Sequence, residues 1–235
     1  MTINIANIYP DILNMYGDKG NIAALCYRMN KMGINSCVTD YAIGDKIDFE
    51  KTNIVYIGGG SEKDQVTAMK NLMQDSESFK RYVEDGGCVL AVCSGYEILG
   101  KSFYADGKKY DGLGILNLEF ESKKSRMIGE IILESPVTNG KIVGFENHGG
   151  YVSDSEYEPL GNVISGFGSC NSSKKEGVVY KKLIGTYIHG PLLPLNPDLT
   201  DHIIKLASDI SDEDFKINNS YEEMARSYIL GKTQN

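Results

Sequence analysis

An α/β architecture on a central, mostly parallel sheet is the fold class the sequence predicts, and three patterns predict it. The first half of the chain alternates short β-branched runs with longer amphipathic stretches, as successive βαβ units do. One run, Val89-Leu90-Ala91-Val92, is apolar throughout, which suits a strand covered by helices on both faces. Beyond Gly100 the pattern changes to short alternating segments, which predicts a mixed or antiparallel extension.

Ile3 to Ile8 reads as the first strand, and Tyr9-Pro10-Asp11 turns the chain out of it. Asn21 to Met32 carries Ile22, Leu25, Met29 and Met32 at helical spacing, and Gly33 ends that helix. Asn35 to Asp40 and Ile54 to Ile57 are two further strands, followed by helical stretches over Asp64 to Gln74 and Ser78 to Glu84. Gly86-Gly87 stops the last of these before the buried run at Val89. In the second half, Leu116 to Glu121, Met127 to Glu134, Ile142 to Glu146 and Val178 to Tyr180 read as strands separated by Gly, Asn and Ser. Leu183 to His189 is one more apolar run, broken by Gly190-Pro191, and Leu199 to Ile210 and Tyr221 to Leu230 close the chain as helices. With no repeat and no linker-like stretch, one domain is expected over 1–235, its core at about residues 3–200 and its closing helices at about 199–235.

Thirty-two acidic against 24 basic side chains leave a net charge of -8, which argues against nucleic acid as a partner. No apolar run reaches the roughly 18 residues needed to span a bilayer, and the first residues lack a basic leader region, so a soluble protein is expected. Five cysteines, without a CxxC pair or zinc-type spacing, point to a reducing cytoplasm and give no indication of a metal. Val55-Tyr56-Ile57-Gly58-Gly59-Gly60-Ser61 sets a glycine run after a strand, but it lacks the Gly-Lys-Ser/Thr ending of a phosphate loop. Neither ATP nor any other cofactor is therefore expected on this chain.

Chemistry concentrates at Val92-Cys93-Ser94-Gly95-Tyr96, where a buried strand turns sharply into a helix with cysteine at the apex. Such a turn lifts a nucleophile out of the sheet, and the helix N-terminus is expected to favour the thiolate. The Ser94 N–H would face the oxyanion formed when that thiolate adds to an amide carbonyl. A glycine of the earlier run, Gly59 or Gly60, is a candidate second donor, although the run also reads as a plain tight turn. Cys93 itself is equally compatible with an ordinary core position. Cys88 reads as core, and Cys26, Cys37 and Cys170 are assigned no role.

Three histidines compete as the base. His202 lies in an amphipathic helical pattern and His148 in a polar, glycine-rich stretch, whereas His189 ends an apolar run, where α/β folds gather functional groups. His189 is the candidate that would take the thiol proton and return it to leaving ammonia. Neither Gly190 nor Pro191 is an acid, so nothing next to it orients the imidazole. Arg126, after Lys123-Lys124-Ser125, reads either as a solvated basic turn or as a fork for the α-carboxylate of an amino acid.

Taken together, Ile57-Gly58-Gly59-Gly60-Ser61, Val92 to Tyr96, Gly144-Phe145-Glu146-Asn147-His148-Gly149-Gly150 and Gly185-Thr186-Tyr187-Ile188-His189-Gly190-Pro191 resemble the class I glutamine amidotransferases of the cobyric-acid-synthase type. The segment from Tyr9 to Asn21 narrows the resemblance to the glutaminase subunits of lipid II isoglutaminyl synthases. The resemblance implies a flavodoxin-like amidotransferase domain in which Cys93 and His189 hydrolyse glutamine through a cysteine thioester while Arg126 holds the substrate. It implies a heterodimer with a MurT-like, Mur-ligase-type ATP-dependent subunit that uses the ammonia to amidate D-glutamate of the lipid II stem peptide. The partner is then the expected source of the missing acid. Ser94 and Glu97 depart from the glycine and glutamine that many relatives carry, and Glu97 is expected to raise the thiol pKa. Corrinoid amidation, a non-catalytic stabilising subunit and a cysteine hydrolase are the alternative readings.

Overall fold

The computed structural model of the chain describes residues 1–153, 155–169, 173–208 and 217–232. The first half runs β1 (Thr2–Ile8), α1 (Lys19–Lys31), β2 (Asn35–Tyr41), β3 (Ile54–Ile57), α2 (Glu62–Leu72), α3 (Ser76–Glu84), β4 (Cys88–Val92) and α4 (Ser94–Ile98). The second half adds β5 (Ser102–Ala105), β6 (Lys108–Asp111), β7 (Glu121–Ser135), β8 (Gly140–Tyr151), β9 (Gly161–Ser165), β10 (Lys175–Glu176), β11 (Val178–Tyr180), β12 (Leu183–Thr186), β13 (Ile188–His189), α5 (Pro197–Leu206) and α6 (Ser220–Lys232).

Among the described residues the main sheet has the order β11-β12-β4-β3-β1-β2. All its neighbours are parallel except β11 and β12. β3 and β4 are buried at every position, so they take the centre, while the largely exposed β2 takes an edge. Alternate side chains of these strands feed two cores. Val55, Ile57, Val89 and Ala91 pack with Ala68 and Leu72 of α2 and Phe79 and Val83 of α3. On the other face Ile54, Tyr56, Leu90 and Val92 pack with Leu25 and Met29 of α1 and Leu199 and Ile203 of α5. The expected α/β fold with helices on both faces is thus present.

The second half departs from expectation in its details. Leu116 to Glu121 is not a strand of its own: Glu119 makes only an isolated bridge to Ser102, and Glu121 opens β7. The expected strands around Met127 and Ile142 are the inner parts of a 15-residue β7 and a 12-residue β8, central in an antiparallel sheet of order β10-β9-β7-β8-β13. The β5–β6 hairpin is additional, and its turn residues Asp106 (φ 49°) and Gly107 (φ 70°) are the Asp-Gly pair that such hairpins favour. The apolar run from Leu183 to His189 breaks at Tyr187: β12 pairs with β4 in the main sheet, while β13 pairs with β8 in the antiparallel one. Helix α5 ends at Leu206, and Ile210 and Cys170 lie outside the described residues.

Candidate active site

Cys93 stands between β4 and α4 with φ 54° and ψ -119°, a left-handed backbone that a non-glycine residue adopts at a cost of about 1–3 kcal/mol. Its N–H donates to the Thr186 carbonyl at 2.8 Å, and its own carbonyl accepts from Tyr96 and Glu97, so the turn is tied down on both sides. Gly95 is required for this close packing: a Cβ there would fall 2.7 Å from the carbonyl oxygens of both Ile57 and Gly58. The half-buried Cys93 is therefore an elbow rather than a plain core residue, whereas Cys88 is buried in the core.

The thiol does not have the depressed pKa that the elbow leads one to expect. Burial pushes it well above the ordinary value, the Glu97 and Asp18 carboxyls add to the rise, and the Ser94 N–H and Arg126 oppose it. Helix α4 spans only five residues, too short for its dipole to outweigh desolvation and two neighbouring acids. Glu97 is itself buried; its Oε1 accepts from the Tyr187 hydroxyl at 2.7 Å and its Oε2 from Gln65 Nε2 at 2.5 Å. Burial raises the Glu97 pKa, and these two hydrogen bonds offset part of the rise.

The chain that leaves β12 brings His189 towards the same end of the sheet. Thr186 is in register with Val92, so the chain leaving β12 through Tyr187 and Ile188 emerges beside the Cys93 turn before reaching His189. His189 is 1% exposed, and neither ring nitrogen has a side-chain partner among the described residues. Its pKa is lowered to about 4, chiefly by desolvation and also by His148 and Arg126, with the Asn147 backbone and Glu146 acting in the opposite sense. The Tyr16 ring stacks on the imidazole, centroids 4.2 Å apart, and Phe145 meets it edge-on at 6.1 Å.

Arg126 lies on β7 and is no free basic turn: Nε donates to Asn147 Oδ1 at 2.7 Å and Nη2 to the Asn147 carbonyl at 2.6 Å. Asn147 Nδ2 in turn donates to the Tyr16 hydroxyl at 2.9 Å, which links Arg126 to the ring that covers His189. The arginine is exposed and its charge reaches both Cys93 and His189. His148 does not line the site; it is buried, stacked on Tyr187 at 4.0 Å, with Nδ1 on the Gly150 carbonyl and Nε2 3.3 Å from Glu146. His202 is half-buried on α5.

Of the backbone donors, Ser94 N–H points at the Cys93 sulfur. Gly59 lies against Cys93, but its N–H donates to Asp18 Oδ2 at 2.8 Å, and Gly60 N–H donates to Ser94 Oγ at 2.6 Å. Sequence reasoning missed Asp18, Tyr16 and Asn147 as site residues. The signal available for the first two was the turn-forming Tyr16-Gly17-Asp18 after a strand, with φ of 63° at Tyr16 and 77° at Gly17.

A cysteine at positive φ at the carboxyl end of a doubly covered parallel sheet, with a histidine on the chain that leaves the neighbouring strand, has the form of the nucleophile elbow of α/β enzymes. The model of the CobB/CobQ-like glutamine amidotransferase domain matches residues 4–197, and the chain belongs to that family. It is 40% identical over 98% of its length to the lipid II isoglutaminyl synthase (glutamine-hydrolyzing) subunit GatD of Staphylococcus aureus, 96% of which is covered. To the subunit of the same name from Streptococcus pneumoniae it is 35% identical, over 87% of this chain and 80% of that one. A crystal structure of a glutamine amidotransferase superposes with a TM-score of 0.58 over 86% of this chain and 98% of that chain, at 16% identity, a likeness of fold. No helix among the described residues is long and apolar enough to cross a membrane.

Proposed function

We propose that this chain, folded as one amidotransferase unit, is the glutaminase subunit of a lipid II isoglutaminyl synthase. Cys93 is the nucleophile, His189 the base, Arg126 the ligand of the glutamine α-carboxylate, and the Gly59 and Ser94 N–H groups the oxyanion donors. The observation that carries this reading is Cys93 at positive φ on the end of β4, beside the strand that leads to His189. Neutral His189 takes the proton from Cys93 as sulfur bonds to the glutamine amide carbon, and the carbonyl electron pair moves onto oxygen. The imidazolium then protonates the departing nitrogen, leaving ammonia and a thioester. Water, deprotonated by the same imidazole, cleaves the thioester to glutamate and restores the thiol.

Ammonia released to water would be protonated and lost as a nucleophile, so the acceptor chemistry sits on a tightly docked partner. That partner is a MurT-like, ATP-dependent Mur-ligase subunit, which amidates D-glutamate of the stem peptide in the cytoplasm. That neither ring nitrogen of the buried His189 has a side-chain partner among the described residues supports a further role for the partner, supplying the acid that orients it. Intact-mass and peptide analysis after treatment with 6-diazo-5-oxo-norleucine tests the assignment. A single adduct on Cys93, absent from Cys93→Ser together with ammonia release, is expected; an adduct elsewhere on folded protein, or full activity in Cys93→Ser, overturns it. Co-purification with a corrinoid synthetase instead of a Mur-ligase-like protein would redirect the acceptor.

A further inference from the structure

Asp18 is a buried acid that the mechanism above does not use. Its side chain is 1% exposed, Oδ2 accepts the Gly59 N–H at 2.8 Å, and Oδ1 has no hydrogen-bond partner among the described residues. A Cβ built on Gly59 would lie 3.4 Å from Asp18 Oδ2, 3.1 Å from Cys93 Cβ and 3.7 Å from Cys93 Sγ, so carboxyl and thiol converge on one glycine. An oxygen that accepts from an N–H on the glycine beside the nucleophilic sulfur holds the hydrogen bond that a tetrahedral oxyanion there would need. The loop holds it there: Met15 N–H donates to the Gly59 carbonyl at 2.8 Å, and the two left-handed residues Tyr16 and Gly17 turn Asp18 inward. Burial pushes the Asp18 pKa up to about 7, only partly offset by Gly59, so the placement works against stability. Stability therefore supplies no reason for an acid at this position, whereas a role at the donor does.

We propose that Asp18 is a gate on the glutaminase centre, its carboxyl holding the Gly59 N–H in the free chain as a stand-in for the reaction's oxyanion and leaving it when glutamine is attacked. The proposal rests on Cys93 as nucleophile. As sulfur bonds to the amide carbon and the carbonyl pair moves onto oxygen, that oxygen takes the Gly59 hydrogen bond from Asp18. Tyr16, two residues earlier and stacked on His189, moves with the same loop, so opening the donor also uncovers the base.

The test compares the full-length wild type, Asp18→Ala and Asp18→Asn in their rates of Cys93 capture by 6-diazo-5-oxo-norleucine and by iodoacetamide. The glutamine analogue carries a carbonyl that needs the donor. Iodoacetamide reports thiolate availability, so the ratio of the two rates removes the effect of losing a nearby charge. In Asp18→Ala the ratio is expected to rise about fivefold or more, while Asp18→Asn, whose amide oxygen still accepts from Gly59, stays within about twofold of wild type. A ratio in Asp18→Ala that is unchanged or lower overturns the gate. A crystal structure of the wild-type adduct decides the matter if that variant does not fold. Inhibitor oxygen on Gly59 N–H with Asp18 displaced supports the gate, and Asp18 still bonded to Gly59 overturns it. Failure of the nucleophile assignment itself is seen separately, as wild-type label on a residue other than Cys93.

Discussion

In the free chain Cys93 and His189 are both pushed towards their neutral forms: burial and Glu97 raise the thiol, and desolvation lowers the imidazole to about 4. Iodoacetamide alkylation of Cys93 should therefore still be climbing above pH 9, and in Glu97→Gln the profile should shift to lower pH, because removing a neighbouring anion favours the thiolate. Asp18 gives a second pH signature. Its folded-state pKa of about 7 lies above the usual 3.8, so folding favours the neutral acid. Its favourable contribution is complete below the unfolded pKa and is lost as pH rises through the folded one. Thermal melts should thus show Asp18→Asn matching wild type at about pH 3.5 and exceeding it by pH 8. The elbow at Cys93 was legible in sequence because it is local, a buried run followed by Cys-Ser-Gly. The Asp18–Gly59 contact was not, since it joins positions 41 residues apart through one side-chain oxygen that no periodicity marks.

The β-rich second half shows where elements resist reading. β7 has an irregularity in its pairing with β8 between Ser122 and Met127, and its burial does not alternate cleanly, so periodicity revealed only its inner stretch. That irregularity is also where Arg126 is presented, which is why spacing alone left its role open between solvent and substrate. Arg126→Lys keeps the charge but loses the planar fork that grips Asn147, and steady-state kinetics should show KM for glutamine rising about tenfold with a smaller change in kcat. On β8, a Cβ at Gly150 would fall 1.9 Å from Glu97 Oε1 and 2.3 Å from the Tyr187 hydroxyl. Gly150→Ala is expected to cost about 1–3 kcal/mol in denaturant unfolding, the range typical of overpacking. The elements of the first half were readable nearly to their ends, because each βαβ unit repeats the same contrast of apolar strand and amphipathic helix.

For the whole molecule, the parallel sheet and its two covering layers followed from hydrophobic pattern, whereas strand order did not, being decided by which long-range pairings close the two cores. Joining the synthetase partner should change the chemistry as well as its destination. An acid brought next to His189 raises the imidazole pKa from about 4, so the acid limb of the pH profile of kcat/KM should move to higher pH in the complex than in the isolated chain, with a faster glutaminase rate. An unchanged profile would show that the partner leaves the imidazole's surroundings alone.

The break at Tyr187 gives the sulfur and the imidazole different owners, since one rides on the parallel sheet and the other on the antiparallel one. Their separation is consequently set by how the two sheets pack, and Ile131, Leu133 and Ile142 of the antiparallel sheet share one apolar core with Leu90 and Val92 of the parallel one. A substitution that repacks that shared core is therefore expected to shift sulfur and imidazole relative to each other without touching either.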